Sequence, residues 1–257
     1  MLDLHLKLKS EMIDRNDWFI NWFNSKYYHI LYKSRNKDEA SDFIKTIISN
    51  LSLKSNESVL DLGCGTGRHS ISLSNHFKLV HGIDISSYNI SIANKNKKEN
   101  LKFFISDMRN FETNIKYGYI FNLFTSFGYF KKNEDNLKVL KSCYHHLNKN
   151  GLLIIDFLNS EQIKSTINGL KEMKNISGIS FNIHKEIIDD YVIKKIEIKD
   201  GEASYNFQEK VQLFKIEDFK KMFEFSGFKI ISSYGDYQMN PYNLNSSRLI
   251  LCAKKIS

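Results

Sequence analysis

Residues Val59 to Gly67 read V-L-D-L-G-C-G-T-G, an apolar strand that carries Asp61 and runs into Gly63, Gly65 and Gly67 at alternate positions. Glycines at this spacing let a backbone turn sharply from a strand toward a helix, and without Cβ atoms they let a ligand lie against the main chain. The segment therefore predicts a ligand-binding strand–loop–helix unit. Two nucleotide-binding readings fail on single residues. A dinucleotide fingerprint, G-x-G-x-x-G, needs its third glycine where Arg68 stands, and a P-loop ends in Gly-Lys-Ser/Thr, whereas Gly67 is followed by Arg68 and His69.

What remains, D-x-G-x-G-x-G, resembles motif I of the class I S-adenosylmethionine-dependent methyltransferases. The resemblance implies an α/β, Rossmann-like fold with a seven-stranded, mostly parallel sheet in the order 3-2-1-4-5-7-6. It also implies S-adenosyl-L-methionine as cofactor and S-adenosyl-L-homocysteine as product. The loop residues Gly63, Cys64, Gly65, Thr66 and Gly67 would cradle the methionine part, with Asp61 near its ammonium group. A cofactor with an ammonium, a sulfonium and no phosphate suits this loop. The next strand, Lys78 to Asp84, ends in a carboxylate 17 positions after Gly67, where an acceptor for ribose hydroxyls belongs, with Ile85 beside it. A third strand, Leu101 to Ser106, delivers Ser106, Asp107 and Met108. The resemblance implies that Asp107 faces the adenine amine and Met108 lies along the ring; a helix N-cap is the other role open to Asp107. A fourth strand, Tyr117 to Leu123, leads into the loop Asn122 to Phe130. There the resemblance sets Asn122, Leu123 and Phe124 against the cofactor and the rest beside the methyl group and the acceptor.

At 257 residues the chain is long enough for one main core plus an insertion. Cys64, Cys143 and Cys252 lie far apart with no C-x-x-C pair, so neither a metal site nor a disulfide framework is indicated, and a reducing compartment is expected. No signal-peptide core and no apolar run of about 18 residues is present, so a cytoplasmic protein without a membrane partner is expected. The net charge of +8 would point to acidic partners. However, the only arginines are Arg15, Arg35, Arg68, Arg109 and Arg248, and nucleic-acid readers favour the guanidinium fork. The lysine run within Asn94 to Asn100 reads as a solvated helix terminus, with an RNA-binding patch as the alternative.

Strand and helix patterns alternate from Ser58 to Gly151, the signature of a parallel sheet covered by helices. Lys132 to Leu147 carries a helical apolar stripe, and Leu152 to Leu158 is an apolar run broken by Asp156. Ile216 to Phe225 reads as a helix stopped by Ser226-Gly227, before a closing pair of strands at Phe228 to Tyr234 and Arg248 to Lys254. Between Ile179 and Leu213 the pattern changes to alternation, predicting two or three antiparallel strands with a turn at Asp200-Gly201. This insertion is too short for its own core, so it should lie over the C-terminal edge of the sheet and roof the substrate site. The expected division is an N-terminal helical lid (1–50), a cofactor domain (51–178 and 214–257) and an antiparallel β cap (179–213). His184, Tyr191, Tyr205 and Phe207 of the cap would face substrate, a partner subunit or the protein interior.

Trp18, Phe19, Trp22 and Phe23 recur at helical spacing and read as packing residues. The Tyr-x-x-Arg pair Tyr32 and Arg35 resembles small-molecule and peptide N-methyltransferases, including relatives of glycine N-methyltransferase and cypemycin methyltransferase, in which such an arginine pairs with the cofactor carboxylate. A surface ion pair is the alternative. Methyl transfer is driven by alignment and exclusion of water, so no general base is assigned. His145 and His146 sit on a predicted helix away from the loop ends, and His69 is expected to line its helix. Tyr129, Tyr205, Tyr237 and Arg248 flank the expected mouth and are the substrate-side candidates. The reading is methyl transfer to a nitrogen or oxygen of a small molecule or short peptide, by a monomer or homodimer. An RNA (tRNA or rRNA) methyltransferase and a non-catalytic S-adenosylmethionine-binding protein are the alternatives.

Overall fold

A computed structural model describes residues 18–33, 37–167 and 169–256; Arg35 lies outside the described residues. Helices α1 (Trp18–Phe23), α2 (Lys26–Leu31) and α3 (Lys37–Leu51) precede β1 (Ser58–Leu62), α4 (Arg68–Leu73), β2 (Leu79–Asp84), α5 (Ser87–Ala93), β3 (Leu101–Ile105), β4 (Tyr117–Asn122), α6 (Asn133–His146), β5 (Leu147–Leu158) and α7 (Ser160–Thr166). Then come β6 (Leu170–Ile176), β7 (Ile179–Ile188), β8 (Tyr191–Asp200), β9 (Ala203–Gln212), α8 (Ile216–Phe225), β10 (Phe228–Tyr234) and β11 (Arg248–Lys255).

The main sheet runs β3-β2-β1-β4-β5-β11-β10, which is the expected order 3-2-1-4-5-7-6. Pairing is parallel from β3 through β5 and antiparallel at β11 and β10. Successive side chains of a strand point to opposite faces, and a parallel sheet hides both. Accordingly Leu60, Ile120 and Leu153 pack on one side with α6 and α8, while Val59, Phe121 and Ile154 pack on the other with α3 and α4. The strand order reverses at β1, whose neighbours are β2 and β4. The crevice beyond the C-terminal ends of these strands is where such sheets place a ligand.

Two elements differ from expectation. Strand β5 begins at Leu147 rather than Leu152, because Tyr117 pairs with Leu147 before the register shifts, and Asn150 takes a left-handed φ of 62° in between. The second sheet has four strands in the order β6-β7-β8-β9, so it starts at Leu170, ahead of Ile179. Strand β6 lies at its edge and is mostly exposed, so burial imposes no apolar alternation on its sequence, L-K-E-M-K-N-I.

This second sheet does not stand on its own. Its inner face gives Phe181, Ile183, Ile196 and Ile198 to a cluster completed by Trp22, Tyr27 and Leu31 of α1 and α2. Trp22 stacks near Phe207 with centroids 4.8 Å apart and donates its indole N–H to Glu209 at 2.8 Å; the Tyr27 hydroxyl reaches Asp200 at 3.0 Å. The N-terminal helices and the insertion thus share one small core. Trp22→Ala should open a cavity there and cost about 3–5 kcal/mol locally. Hydrogen exchange should then show lost protection in both α1–α2 and β7–β9, with β1, β4 and β5 unchanged; loss confined to the helices would contradict a shared core.

Candidate functional site

The glycine turn is held from below by the end of β2. Gly63 N–H and Cys64 N–H both donate to the Ile83 carbonyl, at 2.8 and 2.9 Å, and Gly65 N–H donates to Asp84 Oδ2 at 2.9 Å. All three glycines have positive φ (76°, 55° and 85°), which other residues adopt only with strain. Their surroundings nonetheless differ. A Cβ on Gly63 would meet Ser126 at 2.9 Å and one on Gly67 would meet the Phe103 ring at 2.7 Å, but one on Gly65 would meet nothing within 4 Å. Gly63 and Gly67 let protein pack against the loop, whereas Gly65 borders open space.

That space is a cavity of about 550 Å³ lined by Gly63, Cys64, Gly65, Thr66, Asp84, Ile85, Ser106, Asp107, Met108, Leu123 and Phe124 at one end. Its size falls within the range of about 300–1,000 Å³ usual for small-molecule sites. Gly67 and Asn122 are not in the lining. Gly67 leads into α4, and Asn122, almost fully buried, donates its amide to the Leu62 carbonyl at 2.8 Å. Asp61 also lies behind the loop, 2% exposed, accepting the Ser70 hydroxyl at 2.5 Å, so in this structure it braces α4 against β1 and does not reach the cavity wall. Burial pushes its carboxyl up to about 6, opposed by the Ser70 hydrogen bond.

Asp84 and Asp107 face the cavity with most of their acceptor capacity engaged. Asp84 accepts from Gly65 N–H, from Ser86 N–H at 2.8 Å and from the Asn89 amide at 3.3 Å. Burial raises its carboxyl, against those hydrogen bonds. It is a clamp for the loop as well as part of the lining. Both oxygens of Asp107 receive the Arg109 guanidinium, at 2.6 to 3.1 Å, and Arg109 stacks over Phe130 at 4.9 Å.

The loop after β4 carries strain. Phe124 and Thr125 both have left-handed φ, 60° and 59°, which costs roughly 1–3 kcal/mol for each non-glycine residue and is rarest for a β-branched one. A fully buried Asp156 holds them: its Oδ2 accepts Phe124 N–H at 2.9 Å and its carbonyl accepts Thr125 N–H at 2.9 Å. Arg248 completes the brace, giving Nε to Asp156 at 2.7 Å and a terminal nitrogen to the Thr125 hydroxyl at 2.8 Å. Charge-assisted bonds of this kind contribute about 1.5–3 kcal/mol, enough to offset the strain.

The other end of the cavity is walled by Trp18 and Tyr32 from the N-terminal segment, Tyr129, and Lys185, Lys194 and Glu209 of the second sheet. Of the substrate-side candidates, Tyr129 and Arg248 line the cavity, and the Tyr129 hydroxyl donates to the Thr125 carbonyl. Tyr205 and Tyr237 do not. Tyr205 packs on Tyr27, centroids 4.8 Å apart, at the far end of the shared lid core, and Tyr237 stacks on Phe43 at 4.3 Å behind Arg248. Tyr32 lies in the lining, where its hydroxyl donates to Glu209 at 2.6 Å and accepts from Lys194. His69, expected along its helix, also reaches the lining. Sequence reasoning missed His29, whose buried Nε2 has no hydrogen-bond partner and whose ring burial holds below the usual imidazole range. It also missed Lys185, Lys194 and Glu209, which strict alternation along the strands would have put on the inner face. Among the described residues no cluster of three or more His, Cys, Asp or Glu could hold a metal, and no helix is long and apolar enough to cross a membrane.

A switch-point crevice, a glycine turn open at Gly65 and carboxylates at the ends of two successive strands define a nucleoside-binding α/β protein of the Rossmann-like type. The profile of a family described as a methyltransferase domain matches residues 53–227, and the chain belongs to that family. It is 30% identical over 132 residues to a dTDP-3-amino-3,4,6-trideoxy-alpha-D-glucopyranose N,N-dimethyltransferase from Streptomyces venezuelae, covering 50% of this chain and 54% of the relative. With a glycine/sarcosine N-methyltransferase from Aphanothece halophytica it is 26% identical over 256 residues, 95% of this chain and 88% of that one. The chain spans about half the length of the sugar dimethyltransferase and of a malonyl-[acyl-carrier protein] O-methyltransferase from Bacillus anthracis, 54% and 55%. The fold matches the crystal structure of an S-adenosylmethionine-dependent methyltransferase from Clostridium acetobutylicum with a TM-score of 0.78 at 22% identity, covering 92% of this chain and 99% of that one.

The glycines separate folding from binding. Gly67→Val collides with Phe103 and should fail to fold stably, whereas Gly65→Val projects into the cavity, keeps a melting transition lowered by the strain of its φ, and should lose calorimetric binding of S-adenosylhomocysteine. Normal binding by Gly65→Val would mean that the ligand lies elsewhere. Asp61 supplies a pH test. Its folded value exceeds its unfolded one, so the native state holds the extra proton and stability falls as pH rises from about 4 to 6, by up to about 3 kcal/mol. Unfolding curves of wild type against Asp61→Asn should diverge over that window, wild type losing ground; a pH-independent difference would contradict the raised carboxyl.

Proposed function

We propose that this chain is an S-adenosylmethionine-dependent methyltransferase that methylates a nitrogen or oxygen of a small molecule or short peptide. The observation that carries the reading is the open face of Gly65 within a cavity that also contains Asp84 and Asp107. The cofactor fits these residues: the amino-acid end has a surface without side chains to lie on, Asp84 keeps a carboxylate for the ribose hydroxyls, and Ser106, Asp107 and Met108 border the adenine end. When bound, it supplies a methyl group made electrophilic by the sulfonium.

The protein's own contribution is alignment and exclusion of water, which account for much of the acceleration of a transfer without a charged leaving intermediate. Asp156 and Arg248 fix the strained Phe124-Thr125 segment at the cavity wall, and Trp18, Phe19 and Phe23 close it from the lid side. No side chain is assigned as general base. A compact acceptor suits a cavity of this size walled on one side by β7, β8 and β9.

The test is incubation of the protein with methyl-labelled S-adenosylmethionine and a cell extract fractionated into metabolites and RNA. Label should move into a low-molecular-weight fraction, and Gly65→Val should abolish the transfer. Tight cofactor binding with no labelled product would indicate a binding protein, and label in the RNA fraction would replace the acceptor class.

A further inference from the structure

Asp84 is one acceptor short of what a ribose needs. An ionised carboxylate offers about four acceptor positions, two on each oxygen. Asp84 Oδ1 receives Ser86 N–H at 2.8 Å and the Asn89 amide at 3.3 Å, which takes up both of its positions, and Oδ2 receives Gly65 N–H at 2.9 Å, which takes up one. A single position remains, on Oδ2. A ribose with neighbouring 2′ and 3′ hydroxyls brings two protons, and either one left unpaired in a buried site weakens binding. The second hydroxyl therefore calls for a different partner.

Among the described residues lining the cavity, Trp18, His29 and Asn89 each carry a buried polar atom with no hydrogen-bond partner: Nε1, Nε2 and Oδ1 respectively. The indole N–H only donates, so it cannot take a hydroxyl proton. His29 stands on α2 with its ring against Tyr88, centroids 5.0 Å apart, and no hydrogen bond fixes its Nε2. Asn89 is held firmly. It is 3% exposed, its backbone N–H donates to Ser86 Oγ at 3.0 Å, and its amide nitrogen is tied to Asp84. That tie also settles which way the amide faces, since the reverse orientation would set two acceptors against each other. An amide oxygen buried without a donor is destabilising, and a ligand hydroxyl is a donor of the right kind beside the right carboxylate. We propose that Asp84 and Asn89 divide the ribose between them: the remaining position on Asp84 Oδ2 takes one hydroxyl and Asn89 Oδ1 takes the other. The proposal rests on the methyltransferase reading for the identity of the nucleoside and adds the residue that reads its second hydroxyl.

Calorimetric titration of the intact chain with S-adenosylhomocysteine and with its 2′-deoxy and 3′-deoxy forms separates the two contacts. The wild type should bind each deoxy form about fivefold or more weakly than the parent, because each lacks one of two paired hydroxyls. Asn89→Leu removes the oxygen, and its second methyl fills the place of the amide nitrogen beside Asp84 Oδ1, so that no hydroxyl can use the position released there. In this variant the parent should weaken by a similar factor, one deoxy form should bind as well as the parent, and the other should keep its penalty. His29→Phe should leave both penalties in place. A wild type that binds either deoxy form as tightly as the parent would overturn the division, whether or not any variant folds. So would an Asn89→Leu protein with a normal melting transition that keeps both penalties, or a penalty that disappears in His29→Phe. If S-adenosylhomocysteine itself fails to bind, the methyltransferase reading falls, and the same comparison made with adenosine and its 2′-deoxy and 3′-deoxy forms decides the ribose contacts; absence of binding there too would overturn them.

Discussion

The site depends on the way three successive backbone N–H groups, those of Gly63, Cys64 and Gly65, are pulled onto the last two residues of β2. Those bonds fold the chain back on itself beyond β1 and turn the free side of Gly65 toward the crevice. Asp84 is central because one carboxylate closes the turn through Gly65, holds the cap residue Ser86 and the Asn89 side chain at the start of α5, and still borders the cavity. Burying it raises its proton affinity, and three donors offset that cost. Loop shape and ligand surface therefore cannot be altered independently at this residue.

Opposite the turn, a second device sets the geometry. The loop after β4 would relax out of its left-handed conformation without Asp156 and Arg248, and these arrive from β5 and β11, on the far side of β4 from the glycine turn. The antiparallel end of the sheet thus has a role beyond closing the core: it carries the brace. At the other end of the cavity α1 and α2 share a core with strands far along the chain, as the Trp22 to Glu209 bond illustrates with a separation of 187. The N-terminal helices and the second sheet share that core and together wall one end of the cavity.

Much of the sheet was legible in the sequence because its signals are local. Buried strands read as apolar runs, glycines with positive φ stand where the chain turns, and helix α8 ends at Ser226-Gly227 as its pattern implies. What stayed hidden depends on partners distant in sequence. Edge strand β6 carries no burial signal; Tyr205 and Tyr237 are near the mouth along the chain but are drawn away by Tyr27 and Phe43. Asp61 and Asp107 illustrate a different limit. Their motif positions were clear, but only coordinates reveal that one carboxylate turns inward to Ser70 and the other is met by Arg109. The charged row on the cap was readable in principle, since period-2 alternation puts Lys185, Lys194 and Glu209 on the face of their apolar neighbours.

The most direct measurement of the central claim is a crystal structure of the chain grown with S-adenosylhomocysteine. The account requires the homocysteine end against the open side of Gly65, with the nucleoside extending between Asp84 and Asp107 and the turn on β2 unchanged. Density for the ligand in another part of the molecule, or a turn that must rearrange to admit it, would contradict the account.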